Sequence, residues 1–251
     1  MLLNFDDANP KQKICEAKPE LLATPIYRIY QIKHIVELFL KKRDSLSKPF
    51  IWDDPFENPL WNTPLILDDE DQAQLRVTAN YFGQCWSLNQ ETDAMWRIYS
   101  HNKYGIKACT TIGKLYESLK KKTINEGKVF IGKVKYETQK EMKIELQDIV
   151  DKMSFDESDW ALSFLLKRKE FRHEKEIRLL YVPHYPSEED RFVYGFNPLS
   201  VFEQIMFDPR LDDGMALMFQ KIFNELGFKS VKKSELYDFK PLFSSPHRMK
   251  Q

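Results

Sequence analysis

Three short stretches far apart in the chain carry the side chains best suited to chemistry: Tyr27-Arg28-Ile29-Tyr30, Cys85-Trp86-Ser87-Leu88 and Glu174-Lys175-Glu176-Ile177-Arg178. Together they offer a strand-borne cation, a hydroxyl and a pair of carboxylates, a set that suits a charged nucleotide. Two carboxylates spaced i and i+2 at the start of an apolar run are expected to project from one side of a β-strand, where like charges repel. A fold rarely needs that for stability.

Each of these residues has an ordinary reading beside the chemical one. Arg28 lies mid-strand among aromatic and aliphatic neighbours, where an unpaired guanidinium is costly, so it is expected to pair with a core acid or an anionic ligand. Ser87 ends a strand beside Trp86, and a small hydroxyl there usually bonds neighbouring backbone. No Gly-x-Ser-x-Gly elbow surrounds it, which leaves a serine hydrolase unsupported. Glu174 and Glu176 sit among Lys169, Arg172, Lys175 and Arg178, which would neutralise them on a solvated edge. Glu176, however, leads directly into Ile177-Arg178-Leu179-Leu180-Tyr181-Val182 and is expected at the lip of a buried strand, facing a cleft. Trp96, Arg97 and Tyr99, on a short helix beyond Ser87, could stack on a base or a nicotinamide ring, with Arg97 reaching a phosphate. A Trp and a Tyr on such a helix are equally what a core uses.

Other classes fall away. His34, His101, His173, His184 and His247 show no zinc-ligand spacing, and no metal site is expected. There is neither a Gly-x-Gly-x-x-Gly run nor a P-loop, so a nucleotide needs another cradle. Cys15, Cys85 and Cys109 form no Cys-x-x-Cys pair and, being three, no disulfide framework; a cytoplasmic setting is expected. The 38 basic and 38 acidic residues cancel, so contact with a polyanion must be local, as at Lys120-Lys121-Lys122 or Lys167-Arg168-Lys169. The first residues lack a basic segment followed by an apolar core, and no apolar run approaches the ~20 residues that cross a bilayer, so no membrane role is expected.

With 42% hydrophobic and 14% aromatic residues the chain reads as folded rather than disordered. The β-branched and aromatic stretch 26–30 predicts a strand in which Ile26, Arg28 and Tyr30 share a face. A helix is expected over 34–41, then a fixed loop over 49–59, where three prolines break regular structure. Strands are expected at 83–88, 105–111, 128–136, 177–182, 202–207 and 229–236. Helices are expected at 93–99, capped by Thr92, and over 113–122, 138–153, 156–170 and 213–226, the last closed by Gly227. No linker divides the chain, so 25–240 is expected to be one α+β domain between an N-terminal arm (1–24) and a tail (241–251).

The Tyr-Arg strand, Trp52-Asp53-Asp54-Pro55-Phe56-Glu57, Trp86-Ser87-Leu88 with Met95-Trp96-Arg97-Ile98-Tyr99, and His173-Glu174-Lys175-Glu176-Ile177-Arg178 resemble, in that order, a bacterial family catalogued as a domain of unknown function (number 2971). An early-strand arginine, a serine on a later strand and a Glu-x-Glu at a strand start also resemble the Arg-Ser-Glu pattern of ADP-ribosyltransferase toxins. The second resemblance implies a mostly antiparallel split sheet flanked by helices and a mono-ADP-ribosyltransferase that takes NAD as substrate. It assigns the NAD phosphates to Arg28, ordering of the site to Ser87, the nicotinamide ribose to Glu176 and selection or activation of the acceptor to Glu174, with Tyr27 or Tyr30 against the nicotinamide. It also implies a toxin or phage-defence effector kept in check by an antitoxin or other inhibitory protein, with RNA, DNA or protein as acceptor. Two alternatives stay open: a non-catalytic nucleotide or nucleic-acid binding module, and a nuclease with Asp53, Asp54, Glu57, Glu174 and Glu176 around Mg²⁺.

Overall fold

The computed structural model describes residues 1–3, 13–14, 18–60, 65–66, 72–73, 76–151 and 156–239; the expected tail lies outside them. Strands β1 (Pro25–Gln31), β2 (Arg43–Ser47), β3 (Phe82–Ser87), β4 (Gly105–Thr111), β5 (Gly127–Lys133), β6 (Glu176–Pro183), β7 (Arg191–Gly195), β8 (Gln204–Phe207) and β9 (Val231–Lys233) build the sheet. Helices α1 (Ile32–Lys41), α2 (Asp93–Tyr99), α3 (Ile112–Lys120), α4 (Gln139–Asp151), α5 (Glu157–Ser163) and α6 (Asp213–Glu225) flank it. The order is β9-β8-β4-β1-β3-β6-β5, continued by Leu2–Leu3 and Lys13–Ile14, while β7 and β2 form a ribbon that meets β3. The sheet is mostly antiparallel; β8–β9 and Leu2–Leu3 on β5 are the parallel pairs within it.

Strand alternation divides the core in two. On β6, Ile177, Leu179 and Tyr181 point into a large cluster shared with Ile26, Tyr30, Phe82 and Trp86 and covered by Ile35, Leu38 and Phe39 of α1. Leu180 and Val182 point the other way, onto Tyr81, Phe130, Trp160, Phe164 and Leu165. A central strand buried on both faces reads as a continuous apolar run for this reason. Glu176 and Arg178 continue the second face beyond its apolar part.

The sheet opens in its middle. β1 pairs with β4 along its whole length, from Pro25↔Thr111 to Gln31↔Gly105, but with β3 only at Tyr27↔Ser87. Below that bridge the two strands diverge, and β2 enters the opening, joining β3 at Ser47↔Gly83. Arg28 is the residue next to the bridge, so its side chain occupies the wedge.

Several local readings change. The helix expected over 156–170 stops at Ser163, because Phe164 and Leu165 are drawn into the second core and Leu166–Arg168 then extends alongside Lys135–Glu137. β2, Arg-Asp-Ser-Leu-Ser, is too polar to announce a strand, whereas β7 carries Phe192-Val193-Tyr194 and was passed over; the two exist as mutual partners, Ser45↔Val193 at their centre. The last expected strand shortens to Val231–Lys233, and Leu2–Leu3 of the expected arm joins β5. Thr92 caps α2 through the Met95 N–H at 3.2 Å, and Gly227, at φ +86°, closes α6 as expected.

Gly83 positions the loop that covers the site. A Cβ there would stand 2.7 Å from the Trp52 ring, which lies over the strand with its indole N–H donating to Ser47 Oγ at 2.9 Å. Gly83→Ala is therefore expected to cost about 1–3 kcal/mol, the usual range for overpacking, read as a lower urea midpoint.

Candidate active site

Register brings the three sequence segments together. Ser87 at the end of β3 is paired with Tyr27 on one side and Glu176 on the other, so residues from β1, β3 and β6 meet at one level of the sheet. A hollow of about 570 Å³ lies there, lined by Tyr27, Arg28, Ser87, Glu174 and Glu176, by Met95 and Tyr99 of α2, and by Trp52, Asp53, Asp54 and Glu57 of the proline-rich loop. Its size is that of ordinary small-ligand sites.

The two glutamates arrive by different routes. The strand starts at Glu176; Glu174 ends a 3₁₀ turn over Lys169–Glu174, and Lys175 between them is left-handed at φ 45°. The expectation that both project from one strand face is thus corrected: a turn, not strand alternation, carries Glu174 into the hollow. Ser87 secures this turn. Its hydroxyl donates to the Glu174 carbonyl at 2.5 Å and accepts the Asn89 N–H at 2.9 Å, while the Leu88 N–H donates to Lys175 O at 2.9 Å.

What gathers the acids is a buried ammonium. Lys167 Nζ stands 2.7 Å from Glu57, 2.5 Å from Glu174 and 3.0 Å from Glu176. Arg178, fully buried, gives its Nε to Glu176 at 2.8 Å and its Nη2 to Glu176 and Glu57 at 3.1 Å, while Nη1 donates to Phe164 O at 2.6 Å. Trp52 stacks on this guanidinium at 4.8 Å. Tyr99 donates its hydroxyl to Glu174 at 2.7 Å, and the Tyr136 hydroxyl accepts the Glu176 N–H at 2.7 Å.

Burial pushes the Glu176 carboxyl up, but the Arg178 guanidinium and then Lys167 outweigh it and hold it at about 2. Burial likewise opposes the charge of Lys167, yet Glu176 and Glu57 keep it well above the ordinary lysine range. Burial and the Glu176 charge push the Cys85 thiol up, so it stays protonated beside the carboxylate. By formal charge, three carboxylates, Glu57, Glu174 and Glu176, face two cations, Lys167 and Arg178, so the cluster beside the hollow holds one acid more than base.

Arg28 forms the opposite wall. Its guanidinium stacks on Tyr30 at 4.8 Å, and among the described residues it has no ion pair and its buried Nη1 has no hydrogen-bond partner. Burial opposes its charge, but Tyr30 and Asp44 nearby raise its pKa above the ordinary value. Asp44 itself spends its oxygens on Gln84 Nε2 at 2.9 Å and the Ser45 N–H at 2.8 Å. Arg28 is thus a cation that feels a buried acid through space but makes no direct ion pair among the described residues, which leaves its guanidinium able to meet an incoming anion.

Other expected site residues lie elsewhere. Trp96 is completely buried, with its indole N–H on Glu91 at 2.7 Å, and Arg97 is exposed and paired with Asp93 one turn back at 2.8 Å. A helix that turns Met95 and Tyr99 toward the hollow must turn positions 96 and 97 away. Tyr30 is buried against Trp86 and Phe202 and touches the site only through Arg28. Lys167, read in sequence as part of an exposed basic run, is the buried centre of the cluster. Asp54 is held by Arg168 at 3.1 Å. Lysine and arginine thus sit among the carboxylates that a Mg²⁺ site would need, and among the described residues no group of three His, Cys, Asp or Glu side chains is poised to hold a metal. Nothing in the sequence around Lys167 announced its place; Arg178 was expected among the bases that neutralise the glutamates on a solvated edge, and it pairs with Glu176 and Glu57 from full burial instead.

Residues 95–179 match the model of a family described as a protein of unknown function, DUF2971. No curated protein matches the chain. Among solved structures, Thermus sp. 2.9 DarT in complex with NAD⁺ is similar at 12% identity and a TM-score of 0.39, covering 85% of this chain and 96% of its own. The same protein in complex with ADP-ribosylated ssDNA is similar at 13% identity and a TM-score of 0.38, covering 87% and 95%.

Two outcomes test this electrostatic picture. Glu176 titrates at about 2 in the fold against 4.5 for the free side chain, so the unfolded chain takes up its proton first as pH falls. The stability it contributes is complete above about pH 4.5 and drains away toward pH 2; urea midpoints across that window should fall steeply in the wild type and less steeply in Glu176→Gln. Arg28→Met should lower the midpoint by less than about 1 kcal/mol equivalent, whereas breaking a formed buried ion pair costs about 3–5 kcal/mol.

Proposed function

We propose that the chain is an NAD-dependent ADP-ribosyltransferase of the Arg-Ser-Glu type. The observation that carries this reading is the opposition across one nucleotide-sized hollow of an unpartnered arginine and a carboxylate cluster with one negative charge in excess. A dinucleotide has charges to match, a pyrophosphate at one place and a cationic nicotinamide at another.

The hollow fits that substrate on its own terms, through its volume and through the orphaned Arg28 Nη1. Arg28 binds phosphate oxygens by charge-assisted hydrogen bonds. Tyr27 supplies an aromatic face beside the ribose end. Glu176, locked in place and ionised, and Glu174 beside it present fixed negative charge where the nicotinamide-ribose bond breaks and positive charge builds on the sugar. The leaving nicotinamide takes the bonding electrons, and the acceptor's nucleophilic atom forms the new bond to the ribose carbon as it gives up its proton. Glu174, tied to Tyr99 and Lys167, stands on the acceptor side of the pair. Ser87 acts through the backbone by fixing the turn that carries Glu174.

We extend the reading to a toxin or phage-defence effector acting in the cytoplasm, with a nucleic acid or a protein as acceptor and an inhibitory partner that protects the host. No helix among the described residues is long and apolar enough to cross a membrane. Purified protein incubated with labelled NAD and cell lysate should consume NAD in the presence of EDTA. Glu176→Gln should slow consumption at least a hundredfold while retaining its circular dichroism, and Arg28→Met should raise KM more than it lowers kcat. Undiminished turnover in Glu176→Gln would remove the proposal.

A further inference from the structure

α1 carries an apolar row that the core does not fully use. Ile35, Leu38 and Phe39 are buried in the main cluster, whereas Ile32, Val36 and Leu40, spaced one turn apart, run along its flank. With Phe219 of α6 these three line an open groove of about 440 Å³ that shares no residue with the acidic hollow. Met218 and Ile222, beside Phe219 on α6, extend the apolar surface. Leu40 is 63% exposed, Met218 43% and Ile222 36%, so two neighbouring helices present one apolar face to solvent. Such a face on a folded domain marks an interface.

The order of residues along α1 says what covers this face. The row Ile32-Val36-Leu40 is apolar in either direction about Val36, as a two-fold contact between copies requires. Beside it at the groove rim runs a charged row, Lys33-Glu37-Lys41. Lys41 pairs with Glu37, and the Lys33 ammonium has no ion pair or hydrogen bond among the described residues. When a second α1 is laid antiparallel about Val36, Ile32 of each copy meets Leu40 of the other. Lys33 then stands two residues of helical rise, about 3 Å, from the level of Glu37 of the second copy, and symmetry makes this pair twice. A rim that alternates in sign is complementary to itself, whereas a foreign helix would be steered by a rim of one sign. The 38 basic and 38 acidic residues of the chain cancel, so two copies approach without net repulsion.

We propose that the chain forms a two-fold dimer through this groove, with α1 antiparallel to α1 of the second copy about Val36 and Leu40 of each seated in the groove of the other. The contact is small, since two short helices supply its apolar side chains, and association falls in the micromolar range of such interfaces. The dimer does not depend on the transferase reading, and it covers no residue of the acidic hollow.

Sedimentation velocity of the full chain at low salt should show monomer at about 1 µM and dimer at about 100 µM. Leu40→Glu, at an exposed position, should keep its circular dichroism and dimerise about tenfold or more weakly, while Ile144→Glu, at a similarly exposed site on α4, should match wild type. A charge swap reads the register. Lys33→Glu and Glu37→Lys should each weaken the dimer about threefold or more, because like charges then meet across the axis, and Lys33→Glu/Glu37→Lys together should restore it. These rim positions are exposed, so the swap serves even if Leu40→Glu does not fold. A wild type that stays monomeric over the whole range overturns the dimer and leaves the groove to the helix of another protein. A dimer undiminished by Leu40→Glu, or a double variant no stronger than the single ones, overturns it equally. NAD turnover enters none of these measurements, so failure of the dimer and failure of the transferase are read apart.

Discussion

A single lysine ammonium carries the architecture of this site. Lys167 is within 3.0 Å of three carboxylates that arrive from the proline-rich loop, from a 3₁₀ turn and from the start of β6. Like charges this close in a poorly solvated place cannot all remain ionised without a cation between them. Arg178 supports Glu57 and Glu176 from behind, in the plane under Trp52. The cluster therefore does two jobs with one set of bonds: it ties three irregular segments to the central strand, and it keeps an excess negative charge fixed toward the hollow.

Such a cluster is no bargain for stability in itself, since a buried ion network returns little beyond its own desolvation cost. What it confers is order. Each carboxylate is aimed by at least one charged donor, and groups already oriented need no reorganisation when charge develops nearby. The surrounding hydrogen bonds serve the same end, with Ser87 holding the Glu174 carbonyl and Tyr136 holding the Glu176 amide. On the other side of the hollow the design is inverted. Arg28, in the gap between β1 and β3, stacks on Tyr30 and feels Asp44 through space but makes no direct ion pair among the described residues.

The β-rich segments were legible because their side chains alternate or run apolar: Pro25–Gln31, Phe82–Ser87, Gly105–Thr111 and Glu176–Pro183 all form where the pattern places them. The cap at Thr92 and the stop at Gly227 were legible for equally local reasons. Arg43–Ser47 was not, since a polar ribbon strand is stabilised by its partner and leaves no periodic trace, while the Phe192-Val193-Tyr194 stretch of Arg191–Gly195 did carry strand-favouring residues that were passed over. Met95 and Tyr99 could be placed on one helical face, but which face looked at the hollow required α2 to be docked. Trp96 and Arg97 fell on the wrong sides for that reason.

Residue type and local spacing alone determined that a cation, a hydroxyl and two carboxylates stand at strand ends, because strand and turn chemistry act over a few neighbouring positions. Tertiary structure decided the rest. Whether Arg28 met a core acid or an empty wedge depended on where β1 and β3 part, a matter of register between strands some fifty residues apart. Whether Lys167 was a solvated surface charge or the hub of a buried network depended on α5 ending early so that Leu166–Arg168 could lie beside Lys135–Glu137. Charges act through space, and only the folded chain sets the distances that give them a sign and a strength.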